Sequence, residues 1–93
     1  MHTLVIYDIT DDNIRNRVSQ ICKAFGLSRV QKSAFLGILS SGERKELISM
    51  LKRTLSDSDG NIQIYVICRP DMALRVELGK PYKEEEGGDV LVV

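Results

Sequence analysis

A lone carboxylate, Asp8, ends the apolar run Leu4-Val5-Ile6-Tyr7, and Arg15 and Arg17 follow within a few residues. A strand that ends on an acid delivers it to the rim of a sheet, where side chains are exposed to a cleft. Carboxylate oxygens are ligands for hard divalent ions, and the arginine fork matches phosphate. The two together point to phosphodiester chemistry. A plainer fate is also open to Asp8, a turn aspartate that bonds local backbone just before a helix. Asp11 and Asp12 suit helix caps better than ligands, because they place negative charge at a positive helix end.

The surrounding pattern says how these groups are positioned. Residues 3–9 read as a strand that is apolar on consecutive positions, so both of its faces need cover. Thr10 to Asp12 then open a helix that runs to Phe25, with Ile14, Val18, Ile21, Cys22 and Phe25 on one face and Gly26 as its stop. At about 100° per residue, Arg15 and Arg17 fall on opposite flanks of that stripe, where each can lay its stem along the protein. Residues 27–39 look extended and divide near Lys32-Ser33 into a short edge strand and a longer inner one. Ser40 and Glu43 make the S-x-x-E capping box of a second helix buried through Leu47, Ile48, Leu51 and Leu55. Residues 56–61 are a turn-rich loop. Ile62, Ile64 and Val66 alternate with Gln63 and Tyr65 as a last strand before Pro70. Some extended character continues from Asp71 to Leu78. An acidic, Gly-containing linker and the apolar Asp89–Val93 close the chain, and that final strand could pair with another sheet.

Strand, helix, strand, strand, helix, strand is the order of a ferredoxin-like α+β sandwich, βαββαβ, with two helices on one face of an antiparallel sheet. The division is a ferredoxin-like domain over 1–78, then the linker and C-terminal strand over 79–93. A small sheet with one uncovered face is most simply covered by a second copy. At 93 residues the chain is one domain that buries only about two-thirds of its unfolded surface.

Thirteen basic and thirteen acidic residues cancel to a net charge of zero, but the charge is segregated. Residues 13–53 carry nine Lys and Arg, Lys45 and Lys52 of the second helix among them, against Glu43 and Glu46 alone. A local basic surface is what a polyanion feels. Cys22 and Cys68 lack CxxC spacing, and the one histidine is His2. The sequence therefore reads as two reduced thiols in a cytoplasmic protein, without a zinc site. No apolar run approaches the roughly 20 residues of a membrane span. No basic stretch or cleavage pattern precedes the first strand, so no targeting peptide is expected.

The run from Leu4 to Val18, LVIYDITDDNIRNRV, and the segment Gly26 to Gly37, GLSRVQKSAFLG, resemble two linked signatures of CRISPR-associated protein 2, the small partner of the CRISPR spacer integrase. The resemblance is specific over residues 3–39. It implies a homodimer in which Asp8 faces its twin across the two-fold axis. It also implies metal-dependent endonuclease activity on RNA or duplex DNA with Mg²⁺ or Mn²⁺, and a place in spacer acquisition beside the integrase. Arg15, Arg17, Arg29 and Phe35 fall on functionally important positions of that family, and Ser33 lies within the second signature.

One carboxylate per chain is a poor metal site, whereas two related by symmetry make an oxygen-rich cleft that Mg²⁺ could enter with several of its waters. Arg15, Arg17 and Arg29 would then position phosphates or complete the dimer. Phe35 reads equally well as plain core. Ser33 has no base placed for it and reads as a turn serine rather than a nucleophile. The competing function is a non-catalytic duplex-DNA scaffold that bridges integrase dimers. A weaker third is a ferredoxin-like regulatory domain for a small metabolite, which predicts no salt-dependent affinity for nucleic acid.

Overall fold

The computed structural model of the chain describes residues 1–83. Its elements are β1 (His2–Asp8), α1 (Asp12–Ala24), β2 (Ser28–Gln31), β3 (Ala34–Ile38), α2 (Ser41–Leu55), β4 (Asn61–Ile67) and a short α3 (Arg69–Ala73). The strands form one four-stranded sheet in the order β2-β3-β1-β4, and every neighbouring pair is antiparallel. This is the expected ferredoxin-like α+β sandwich.

Local chemistry accounts for where the elements begin and end. Asp11 caps α1 by accepting from the Ile14 amide at 2.9 Å. Gly26 closes that helix in the left-handed region at φ +86°, with its amide and that of Leu27 donating to the Lys23 and Cys22 carbonyls. The capping box of α2 is complete, since Ser40 Oγ accepts from the Glu43 amide and Glu43 accepts from the Ser40 amide. The break between β2 and β3 falls at Lys32-Ser33, and a bulge between Arg29 and Gln31 makes up the register. Gly37 is required by a close approach: a Cβ there would stand 2.8 Å from Leu27 Cδ2 and 3.2 Å from Leu27 Cα.

The sheet's two faces differ. Thr3, Val5 and Tyr7 point one way with Phe35, and α1 and α2 lie over them. The core is Val5, Tyr7, Phe35, Val18, Cys22, Leu47 and Leu51, with Ile62 and Ile64 of β4 packed against it. Leu4, Ile6 and Asp8 point the other way, as alternation along a strand demands. On that second face Ile6 is 39% exposed, Tyr65 50% and Ile38 70%. The described residues therefore do not complete the cover expected from the first strand's apolarity. Met72 and Arg75 border a hollow over Leu4, Leu36 and Ile67 at one end only.

Three further expectations are corrected. The extended reading of Asp71–Leu78 fails: Asp71 to Ala73 end α3, and no strand follows through Leu78. Pro70 in the first turn, with its φ preset for helix, and Asp71 beside the positive helix end favour that short turn. Ile48 is not buried but exposed at the flank of α2, while Leu47 and Leu51 fill the core. Arg17 is exposed, so only Arg15 runs its stem along the protein. The two residues sit about 200° apart around α1, and only Arg15 faces the loop that enters the helix. The expected strand at 89–93 and all but the first residues of the linker lie outside the described residues.

Candidate functional site

Asp8 is the last residue of β1, opposite Asn61 of β4, and it is exposed on the uncovered face. The cap of α1 is supplied by Asp11, which leaves Asp8 unspent. Among the described residues its carboxylate holds no backbone amide, contrary to the turn-aspartate alternative. Asp12, at the start of α1, is tied to Arg15. No group of three His, Cys, Asp or Glu converges among the described residues. The described residues of one copy thus bring a single carboxylate to this place and do not by themselves surround a divalent ion.

Arg15 fixes the segment that follows Asp8. Its Nη1 donates to the Ile9 carbonyl at 3.1 Å and to the Thr10 carbonyl at 3.3 Å, and its Nη2 bonds Asp12. The backbone leaving β1 is thereby pinned to the first turn of α1, so Arg15 sets where Asp8 stands. Arg17, two residues on, extends into solvent.

Arg29, Ser33 and Phe35 gather on the helix side of the sheet. Phe35 is fully buried and stacks against Tyr7 with ring centroids 6.3 Å apart. The Arg29 guanidinium lies 4.7 Å over the Phe35 ring, a cation–π contact. It donates to Ser19 Oγ and to the Lys32 carbonyl. Phe35 is therefore both core and the platform that orients Arg29. The Ser33 carbonyl accepts from the Tyr7 amide at 3.0 Å, which welds the β2–β3 turn to the end of β1. Burial pushes the Tyr7 hydroxyl's pKa up, against a smaller opposing pull from the Arg29 charge. Burial likewise pushes the Cys22 thiol up to about 12, which makes it inert as a nucleophile.

Tyr7, Arg15, Ser19, Arg29, Lys32 and Ser33 border one hollow between α1 and the β2–β3 turn. The sequence reading had singled out three of them. Tyr7 and Ser19 were missed because each reads as filler in an apolar pattern. The available signal was Ser19 itself, a buried hydroxyl four residues after Arg15 on the inner side of α1. Lys45 and Lys52 are exposed on α2, two helical turns apart and so nearly in line. They belong to the helix layer, across the sheet from Asp8. The structure thus divides the candidate residues into an acid on the open face, an arginine cluster at the rim behind it, and a basic helix beyond.

The chain is similar to known proteins over most of its length. The chain is 39% identical over 80 residues to the CRISPR-associated endoribonuclease Cas2 of Korarchaeum cryptofilum, covering 86% of each protein. A Cas1/Cas2 endonuclease fusion from Thermoproteus tenax is 36% identical over 78 residues, which are 82% of this chain and 30% of the fusion. A crystal structure of Cas2 superposes with a TM-score of 0.74 at 30% identity, over 92% of this chain and 94% of that one. The family described as CRISPR associated protein Cas2 matches residues 1–74. Over that span lie β1 with Asp8, the arginine cluster and the whole of the sheet, and the chain belongs to the CRISPR associated protein Cas2 family.

Proposed function

We propose that this chain is a metal-dependent endonuclease that works as a homodimer beside a Cas1 integrase in CRISPR spacer acquisition. The observation that carries the nuclease reading is the unspent Asp8 carboxylate, exposed at the end of β1 on an apolar face that the described residues cover only in part. Relatives named endoribonucleases support RNA as a substrate. The fused Thermoproteus tenax protein, which joins the Cas2 part to Cas1 in one chain, supports the integrase as partner.

Packing the open faces of two copies together would bury Ile6, Ile38 and Tyr65 and bring two Asp8 residues to one cleft. Two carboxylates there suit Mg²⁺ or Mn²⁺, which keeps several waters. When bound, the ion supplies charge neutralisation at a phosphate and a bound water of lowered pKa. The chain's own contribution is positional. Arg15 holds the Ile9 and Thr10 carbonyls and so keeps Asp8 at the rim. Arg17 reaches outward, where a phosphodiester could meet it.

The test is cleavage of RNA and of duplex DNA by dimeric protein, with Mg²⁺ or Mn²⁺ and with chelator. Asp8→Asn is expected to lower the rate by about 10²-fold or more while nucleic-acid affinity stays within about twofold. No cleavage by the unaltered protein under any of these conditions removes the nuclease reading. The second reading, a non-catalytic duplex-DNA scaffold, is favoured by one observation: Lys45 and Lys52 are presented on α2, away from Asp8. It predicts binding and integrase assembly that are indifferent to Asp8→Asn.

A further inference from the structure

The hollow bordered by Arg15, Arg29 and Lys32 is not explained by a nuclease centre at Asp8. Tyr7 and Asp8 are consecutive in a strand, so their side chains leave on opposite faces. The hollow, on the Tyr7 side, lies behind the acid rather than around it. Its volume is about 150 Å³, below the roughly 300–1,000 Å³ of sites that enclose a drug-sized ligand. It has room for a small anion and not for a base and sugar.

Its lining is chemically one-sided. Arg15, Arg29 and Lys32 supply positive charge, Ser19, Ser33 and Tyr7 supply hydroxyls, and Asn16 supplies a neutral carboxamide. Among the described residues no Asp or Glu borders it. Asp12, the acid that Arg15 holds, has a side chain 79% exposed and stands outside. The two guanidiniums are already fixed, one on the Phe35 ring and Ser19, the other on the Ile9 and Thr10 carbonyls. Prior ordering lowers the entropy lost when a ligand arrives. Tyr7 keeps its proton, because burial holds the phenol neutral, and so remains a donor.

We propose that this hollow is a subsite for a terminal phosphate monoester of a nucleic-acid strand, gripped by Arg15, Arg29 and Lys32. A monoester offers three acceptor oxygens and nearly two negative charges, which a cluster of cations and hydroxyls can satisfy together. A diester within a strand offers fewer free oxygens and one charge, and it carries two sugars that the hollow cannot admit. The identity of the strand rests on the nucleic-acid reading above, whereas affinity for the phosphate group does not.

The experiment compares three short RNAs of one sequence by fluorescence anisotropy, at fixed ionic strength and in chelator so that nothing is cut. One carries a 5′-phosphate, one a 3′-phosphate, and one hydroxyls at both ends. A phosphorylated end is expected to bind about tenfold more tightly than the hydroxyl form, and the two phosphorylated forms tell which end enters. Lys32→Ala, at an exposed position, and Arg29→Lys, which keeps charge but loses the fork, should each reduce that advantage to below about threefold. Circular dichroism melts verify that both variants fold. Equal affinities for all three RNAs, or an end preference that survives both variants, overturns the subsite. Metal-dependent cleavage assayed on the same preparations separates the two claims. Cleavage without an end preference leaves the nuclease and ends the subsite, and an end preference without cleavage does the reverse.

Discussion

On the helix side of the sheet, β1 contributes Thr3, Val5 and Tyr7, all buried, beneath two helices that close over Phe35. On the opposite side the same strand contributes Leu4, Ile6 and Asp8, and Ile6, Tyr65 opposite Leu4 and Ile38 opposite His2 are all exposed. One seven-residue strand thus serves two environments through alternation alone. The covered side holds the fold together, and Arg29 is seated there on the buried Phe35 ring. The open side holds an unspent acid in an apolar field, which costs the isolated copy little and gives a second copy something to cover. Substitutions in the apolar packing of the first side should therefore register as stability, and those on the second as association or activity.

The largest effect expected on the covered side comes from Phe35→Ala. Removing a fully buried aromatic ring costs about 3–5 kcal/mol, a large share of the 5–15 kcal/mol that holds a typical domain folded. It would also release Arg29 from its platform. Urea denaturation measures this directly. A loss below about 1 kcal/mol would mean that the core is not built on this ring.

On the open side, Ile38→Lys should leave the folding of one copy almost untouched, because the residue is 70% exposed. The expected change is in assembly: dimer dissociation at least about tenfold easier, since a charge would be buried without a partner. Sedimentation across a concentration series detects it. An unaltered association constant would show that this face is not where two copies meet, and the paired-carboxylate site would go with it.

A smaller effect is expected farther from both. Reversing Lys45 and Lys52 together on α2 should weaken duplex binding by roughly tenfold at low salt and flatten its salt dependence. Cleavage of short substrates should not change, because these residues lie across the sheet from Asp8. Unchanged affinity at low salt would remove α2 from the nucleic-acid surface.

How much of this could be read from the chain follows the same division. Strand and helix periods, the Asp11 and Ser40 caps and the Gly26 stop are local, and each set its element within a residue or two. The break at Lys32-Ser33 was legible although no Asn-Gly turn marks it, because the extended run over residues 27–39 is long for one strand. The end at Asp71–Leu78 was not. A five-residue helix is too short to show a helical period, and Val76 and Leu78 resemble strand residues to any local reading. The division of labour between Arg15 and Arg17 is tertiary in origin. Both flank the stripe of α1, and only the direction from which the Ile9–Thr10 segment arrives decides which is pinned. Tyr7 and Ser19 were hidden for a related reason, since a hydroxyl in an apolar pattern discloses no partner until the neighbouring strand supplies Arg29.

Thr3 gives the smallest and sharpest test of the comparison. It lies on the covered side with no exposed surface, and its hydroxyl has no hydrogen-bond partner among the described residues. Burying a hydroxyl unpaired costs about 1–3 kcal/mol by protein mutational data, and valine has nearly the same shape without it. Thr3→Val is therefore expected to stabilise the chain by about 1 kcal/mol, and a domain of this size answers with a rise of roughly 4–8 °C in melting temperature. Asp8 is five residues away on the other face, so cleavage should not move. A fall in stability would mean that the hydroxyl meets a partner on the covered side, and the separation between the side that carries the core and the side that presents Asp8 would need redrawing at the first strand.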